Sequence, residues 1–149
     1  MYFILIFLTY FSSFTAAVPS DCFNGIEEAL STFVFAEAVT PFQSLCQNNL
    51  SLFSMWAAAK VYCITEEQIS AGEEWAQVYC TEVGYDLLVP YATILPNLTD
   101  DAIAALPVVD FVDRLDTTHV WNTSVLISEA LYDTGKRTIV SACGHCKAC

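Results

Sequence analysis

Four cysteines in the first 80 residues restrict the fold more than any other feature of this 149-residue chain. They are Cys22, Cys46, Cys63 and Cys80, and four cysteines can form two disulfides in three ways. The second and third are 17 residues apart, as are the third and fourth. If a helix fills each interval, its ends lie roughly 25 Å apart, whereas a disulfide needs Cα atoms at about 4.4 to 6.8 Å. The spacing therefore predicts the pairs Cys22–Cys63 and Cys46–Cys80.

The intervals between these cysteines have helical patterns. A first helix is expected to begin near Asn24, which has the capping-box spacing to Glu27, and the region ends at Pro41. Its apolar residues predict one buried face, formed by Ile26, Leu30, Phe33 and Val34. A second helix, from near Ser51 to Cys63, is apolar nearly all round and is expected at the centre of a bundle.

The third helix has the clearest boundary signals. Thr65 and Gln68 form a capping box, and Gly84 fits the position that ends a helix. Trp56 and Trp75 occupy core-like positions on the second and third helices. The predicted inner face of the third helix consists of Ile69, Gly72, Ala76, Tyr79, Cys80 and Val83. Three helices running up, down and up would bring the two cysteine pairs together at opposite ends.

Beyond Gly84 the periodicity weakens. A short helix is expected to follow Thr99, and residues 108–112 fit either a strand or more helix. Ser128 and Glu129 open a final helix on which Leu131 faces inward. The predicted fold class is mainly α: a small disulfide-stapled helical bundle with three core helices and an irregular C-terminal part.

The N-terminal segment indicates the compartment. Residues 1–17 are uncharged and mostly apolar, with small side chains before Val18, which is typical of a signal peptide cleaved near Ala17. The alternative, an uncleaved anchor, is disfavoured because the apolar run is shorter than the ~20 residues of a spanning helix. Three sequons, at Asn49, Asn97 and Asn122, predict a glycoprotein. We therefore expect an extracellular or cell-surface domain over residues 18–139, with no membrane span after cleavage, and a disordered Cys-rich tail over 140–149.

Several segments resemble the extracellular N-terminal region of fungal ferric-chelate reductases. They are WAAAKVYC at 56–63, TEEQISAG at 65–72, the pair Tyr79-Cys80 and PYATI at 90–94. The sequence VLISEALYD at 125–133 is similar to the stretch that leads towards the first membrane helix of that family. The likeness covers roughly Cys22 to Ile139. Its motifs are moderately specific: they consist of the cysteine spacing and a few aromatic and glycine positions, and they include no catalytic signature.

The resemblance implies reductive iron uptake for the full-length family members. Those enzymes carry electrons from NADPH through FAD and paired haems, held by histidines in membrane helices, to ferric chelates outside the cell. Neither His119 nor His145 lies in such a helix, and no dinucleotide-binding fingerprint occurs. We therefore expect no catalytic or cofactor-binding residue in this chain. Where a membrane helix would follow, the sequence reads VSACGHCKAC; a truncated product, a mis-spliced gene and a secreted relative remain open alternatives.

The C-terminal motif offers the sharpest local chemistry. Cys143, His145, Cys146 and Cys149 could supply thiolate and imidazole ligands for zinc or copper. The same C-x-x-C spacing also occurs in redox pairs. Against both readings, thiols in the secretory pathway tend to pair, and a seventh, odd cysteine favours loose or intermolecular pairing.

Charge limits the partners. Seventeen acidic and five basic residues give a formal net charge of −12, so nucleic acid and anionic lipid are poor partners, and ferric species are attracted only weakly and non-specifically. Two glutamate pairs, Glu66/Glu67 and Glu73/Glu74, could serve as acid–base or metal-binding carboxylates, but a solvated helix face is the simpler interpretation. His119, beside Trp121, is expected to be a surface or loop residue.

Three functional hypotheses remain. The first is a non-catalytic ectodomain of a ferric-reductase-like protein, which acts as a lid, docking surface or folding cap on the membrane domain. The second is a free secreted, acidic, cysteine-rich glycoprotein that acts as an interaction module or effector. The third is a small extracellular metal-binding or redox protein that uses the C-terminal cysteines.

Overall fold

In the computed structural model, which describes residues 21–87 and 89–143, the chain is mainly helical and contains two disulfides. The helices are α1 (Asp21–Leu30), α2 (Pro41–Gln47), α3 (Asn49–Tyr62), α4 (Glu66–Glu82), α5 (Tyr91–Ile94), α6 (Asp100–Ala104), α7 (Phe111–Leu115) and α8 (Glu129–Cys143). A 3₁₀ turn, Leu95–Asn97, follows α5. Four two-residue strands, β1 (Val34–Phe35), β2 (Val108–Val109), β3 (Val120–Trp121) and β4 (Leu126–Ile127), form two parallel pairs, β1 with β3 and β2 with β4.

Both predicted disulfides are confirmed. Cys22 is bonded to Cys63 with Cα atoms 5.5 Å apart, and Cys46 is bonded to Cys80 with Cα atoms 5.6 Å apart. The first bond joins α1 to the end of α3, and the second joins α2 to α4. Disulfides of this kind form in oxidising compartments, which indicates such an environment for this chain.

The capping signals of α4 are also confirmed. The Gln68 N–H donates to the Thr65 hydroxyl oxygen, while the Thr65 N–H donates to the Gln68 side chain. Gly84 follows the helix in the left-handed conformation, with φ of 87°. On the predicted inner face, Ile69, Gly72, Ala76 and Cys80 are buried, and Tyr79 and Val83 are half-buried.

The predicted boundaries of the first helix were wrong. α1 already includes Asp21, so Asn24 lies inside the helix and forms no capping box with Glu27. The helix ends at Leu30, because the chain turns there with the Phe33 N–H donating to the Leu30 carbonyl. Ile26, Leu30 and Phe33 are buried as expected, but Val34 lies in β1 and is 39% exposed.

Pro41 begins a helix rather than ending one. It is the first residue of α2, and the Thr40 hydroxyl caps this helix by accepting from the Gln43 N–H at 3.0 Å. Cys46 therefore lies on α2 and not at the start of α3. Asn48 separates the two helices and caps α3, accepting from the Ser51 N–H at 3.0 Å. The second predicted helix, from near Ser51 to Cys63, corresponds to α3, and its length still keeps Cys46 and Cys63 too far apart to pair.

The core forms around α3. Trp56 is fully buried, and its indole N–H donates to the Val89 carbonyl at 2.8 Å. Phe23 of α1 packs against both predicted core tryptophans, with ring centroids 5.7 Å from Trp56 and 5.8 Å from Trp75. Trp75 is half-buried. The apolar circumference of α3 thus lies at the centre, as the sequence predicts.

The predicted fold class, a small disulfide-stapled helical domain, is confirmed, and α8 packs along α1 in addition to the predicted core helices. The two backbones meet at Gly135 and Gly25: a Cβ on Gly135 would overlap the Gly25 carbonyl oxygen. Leu131 of α8 is fully buried, which confirms its predicted inward position. α8 also extends to Cys143, so the boundary placed at residue 140 for a disordered tail lies inside this helix.

Short elements connect α4 to α8. Thr99 caps α6 as predicted, accepting from the Ala102 N–H at 3.1 Å, and Asp110 forms a capping box with Asp113 at the start of α7. Residues 108–112 contain both a strand and the start of a helix. Among residues 21–87 and 89–143, no helix combines the length and apolar composition needed to cross a bilayer.

Candidate functional site

The predicted metal site lies mostly beyond the part of the chain that the structure describes. Cys143 is the last residue of α8, and His145, Cys146 and Cys149 fall outside the described residues, as does the predicted signal peptide. Within residues 21–87 and 89–143, no three His, Cys, Asp or Glu side chains are grouped to hold a metal ion.

Three of the four glutamates in the two pairs on α4, Glu66, Glu67 and Glu74, line one open depression on the surface, but within the described residues they form no metal-binding group. Glu66, Glu67 and Glu74 are exposed, whereas Glu73 is half-buried and accepts from the Tyr91 N–H at 3.1 Å. Hydrogen bonds from the backbone at the helix start and from Thr65 lower the pKa of Glu67. Glu67 therefore interacts with the start of the helix, and Glu73 ties the helix to α5.

The remaining predicted surface residues are exposed. The His119 ring lies 4.4 Å from that of Trp121, and the histidine is exposed. Asn49, Asn97 and Asn122, the three sequon positions, are exposed as well. Oligosaccharides attached there would point into solvent.

A cleft of about 360 Å³ opens where α1 ends and the chain passes through β1 into α2. One side of the cleft is formed by the C-terminal end of α1 and residues 31–35, and the other side by α2. One residue of α4, Tyr79, and two residues of α3, Ser51 and Met55, complete the lining. Its apolar lining consists of Leu30, Phe33, Val34, Phe35, Ala38, Val39, Pro41, Phe42, Leu45 and Met55. The polar lining consists of Glu27, Ser31, Thr32, Thr40, Ser44, Ser51 and Tyr79.

The loop between β1 and α2 is fixed by hydrogen bonds that shape the rim of the cleft. The Asn48 side-chain amide donates to the Ala36 carbonyl at 2.7 Å, and the Val39 N–H donates to the Gln43 side chain at 3.1 Å. Glu37 adopts the left-handed conformation, with φ of 67°. This conformation is uncommon for a residue other than glycine, and the neighbouring hydrogen bonds hold the loop in it.

Aromatic rings form part of the cleft wall. Phe42 on α2 contacts Tyr79 on α4, with centroids 6.3 Å apart, and Tyr79 stacks on Trp75 at 5.2 Å. Val39, which is 85% exposed, and Phe42, which is 49% exposed, extend the apolar surface to the rim. The apolar surface is thus accessible from solvent.

Glu27 places a carboxyl group in this apolar surrounding. Its pKa is raised first by burial and then by the neighbouring charge of Glu28. Glu28 forms an ion pair with Arg114 at 2.8 Å, whereas none of the hydrogen bonds or ion pairs within the described residues involves the Glu27 carboxyl. Burial and the charge of Glu27 raise the pKa of the Tyr79 hydroxyl.

Replacing Glu27 with glutamine is expected to stabilise the protein near neutral pH. The pKa of the Glu27 carboxyl is higher in the folded protein than in the unfolded chain, so the unfolded chain loses this proton first as the pH rises. The free energy of unfolding therefore falls between the unfolded-state pKa and the folded-state pKa of Glu27. The Glu27→Gln variant removes that dependence and should melt at a higher temperature than wild type at pH 7.5, with little difference at pH 3.5. Thermal unfolding at both pH values measures this. A lower melting temperature at pH 7.5 would contradict the account of the Glu27 environment.

Sequence reasoning missed the cleft because it missed α2. The pair Thr40-Pro41 has the N-cap and first-turn preferences of a helix start and could have revealed it. Glu27 was assigned to a capping box, although its position after Phe23 and Ile26 on one helix already placed it near a buried face. The distances that join α1, α2 and α4 around one cavity come only from the folded chain.

Comparisons with protein families, with characterised proteins and with solved structures find no match to this chain. The resemblance to ferric-chelate reductases therefore depends on the quoted motifs alone. The fold and the cleft define a small, disulfide-bonded helical domain with a cavity of ligand size.

Proposed function

We propose that this chain is an extracellular binding domain that holds a small apolar ligand in the cleft between α1, β1 and α2. The observation that carries the proposal is the cavity itself. Its volume, about 360 Å³, is within the ~300 to 1,000 Å³ range of ligand pockets, and its lining is mainly apolar with a few polar groups. Such pockets bind by removing apolar ligand surface from water.

The disulfide between Cys46 and Cys80 supports this function. It anchors α2, which supplies Pro41, Phe42, Ser44 and Leu45 to the cleft, to α4, which supplies Tyr79. A pocket whose walls are fixed before binding loses less conformational entropy when a ligand enters. The bond thus favours a preformed cavity.

The compartment is part of the proposal. The apolar N-terminal segment, the three exposed sequons and the two disulfides support a secreted or cell-surface glycoprotein. An acidic domain of this kind suits the interaction-module hypothesis, with the ligand taken up outside the cell.

The test uses N-phenyl-1-naphthylamine, an uncharged apolar dye whose fluorescence rises on leaving water. We expect saturable binding with a dissociation constant of about 100 µM or tighter, given its size. Ser44→Trp and Thr32→Trp each place a large ring at the cleft and should weaken binding at least about tenfold. Ser70→Trp, at an exposed position of α4 away from the cleft, should leave it unchanged. Absence of saturable binding, or equal effects of all three variants, would refute the function.

A second, more specific candidate is the ectodomain of a ferric-reductase-like protein. It is favoured by the motifs quoted above and by a net charge of −12, which attracts cations to the surface over an iron-reducing site. In this proposal haem, FAD and NADPH belong to other segments of that membrane protein. Reading the transcript past the codon for Cys149 tests it: apolar runs of ~20 residues with spaced histidines would support it, and a stop codon there would count against it.

A further inference from the structure

We propose that the cleft selects apolar ligands that bear a cationic ammonium group, which pairs with the Glu27 carboxylate. This inference rests on the proposed function and adds the chemical class of the ligand. Glu27 is the only charged side chain among the residues that line the cleft, and all of these residues are described. The other lining groups are apolar side chains, hydroxyls and one phenol.

The partly buried Glu27 carboxylate forms no ion pair with any other described residue. Its sequence neighbour Glu28 has Arg114 as its partner, and the Lys136 ammonium of α8 lies over the Tyr132 ring, 5.3 Å from its centroid. A partly buried carboxylate without a cation loses hydration and gains no opposite charge in return. A ligand ammonium would supply both the charge and the hydrogen-bond donors.

Aromatic rings at the cleft suit the same ligand. Tyr79 and Phe42 form one wall, and Phe33 and Phe35 contribute to the opposite side. Ring faces attract cations, and this attraction grows when the cation is desolvated. An anionic ligand would instead bring its charge beside Glu27 into a domain of net charge −12.

Selectivity should depend on pH in a defined direction. Burial and the charge of Glu28 raise the pKa of Glu27. On acidification, the Glu27 carboxylate is therefore protonated at a higher pH than an exposed glutamate. The groups that face it are Glu28 on its own helix and the Tyr79 phenol on α4, while the lining residues from β1, α2 and α3 carry no ionisable side chain. Affinity for an amine should therefore fall as pH falls through the Glu27 pKa, and affinity for an alcohol should not.

The experiment compares three ligands that share one apolar part: 4-phenylbutylamine, 4-phenylbutanol and 4-phenylbutyrate. Each displaces N-phenyl-1-naphthylamine from the full chain at pH 8. We expect the amine to bind about tenfold more tightly than the alcohol and the carboxylate to bind most weakly. In Glu27→Gln, whose own affinity for the dye is determined first, the amine should lose this advantage over the alcohol. Glu74→Gln, which removes the same charge from an exposed position on α4, should keep the wild-type order.

The outcomes separate the two proposals. Dye binding without a preference for the amine, or a preference that survives in Glu27→Gln, would overturn the inference and leave the proposed function standing. Failure of the dye to bind wild type would overturn both. Amine preference that disappears in Glu27→Gln and persists in Glu74→Gln supports the assignment of Glu27 as the ligand-selecting residue.

Discussion

Replacing Cys46 and Cys80 together with alanine is expected to lower the free energy of unfolding by about 3 to 4 kcal/mol. The bond closes a loop with a sequence separation of 34, so its loss greatly enlarges the unfolded ensemble. Both cysteines are fully buried, and both are removed so that no buried free thiol remains. Urea unfolding followed by circular dichroism under non-reducing conditions measures the change.

The same variant tests the link between the disulfide and the cleft. Because α2 loses its covalent anchor to α4, N-phenyl-1-naphthylamine should bind more weakly. The matched control is the double alanine variant of Cys22 and Cys63, whose sequence separation of 41 predicts a similar loss of stability. Neither residue lines the cleft, so this control should bind the dye nearly as wild type does. A stability loss below about 1 kcal/mol in the Cys46/Cys80 variant would contradict the account.

Replacing Gly135 with alanine should lower the free energy of unfolding by about 3 kcal/mol. The added methyl group would overlap the carbonyl oxygen of Gly25 and lie 3.2 Å from its carbonyl carbon. These atoms belong to the backbone of α1 and cannot turn away, so the two helices must separate. Separation would expose Leu131, which is fully buried in the wild-type protein.

The control for this prediction is an alanine-to-glycine substitution at another position of α8. Ala130 is exposed in the first turn of α8, and Ala130→Gly should cost no more than about 1 kcal/mol, the helix-propensity difference of a helix interior. Helix propensity alone would make Gly135→Ala stabilising by a similar amount, whereas the contact with α1 makes it destabilising. The two explanations therefore predict changes of opposite sign in the free energy of unfolding. If urea unfolding shows Gly135→Ala to be as stable as wild type or more stable, the close contact of α1 with α8 is refuted.

Local signals explain why part of the fold was predictable from the sequence. The Thr65–Gln68 capping box and Gly84 set the limits of α4 through contacts within a few residues. The disulfide pairing followed from the distance that a helix imposes between its ends. The pairing holds despite α2, because α3 still lies between Cys46 and Cys63 and α4 still lies between Cys63 and Cys80, so both other pairings stay excluded.

The rest depended on contacts between distant parts of the chain. The Ser54 hydroxyl accepts from the Val125 N–H at 2.9 Å, and the Tyr62 hydroxyl donates to the Ile127 carbonyl at 2.6 Å. These bonds hold the C-terminal half against α3, and no local pattern indicates them. The cleft is likewise assembled from residues as far apart as Glu27 and Tyr79, so neither its volume nor the environment of Glu27 could be inferred from sequence spacing.

Backbone NMR of the ¹⁵N-labelled protein, titrated with N-phenyl-1-naphthylamine, tests the central claim most directly. The account predicts saturable shift changes confined to the cleft, at Glu27, Phe33, Ser44 and Tyr79. The exposed apolar side chains of α7, Phe111, Val112 and Leu115, provide an internal comparison on a different element. Shifts centred on α7, or spread over the surface without saturation, would show that the cleft is not a binding site.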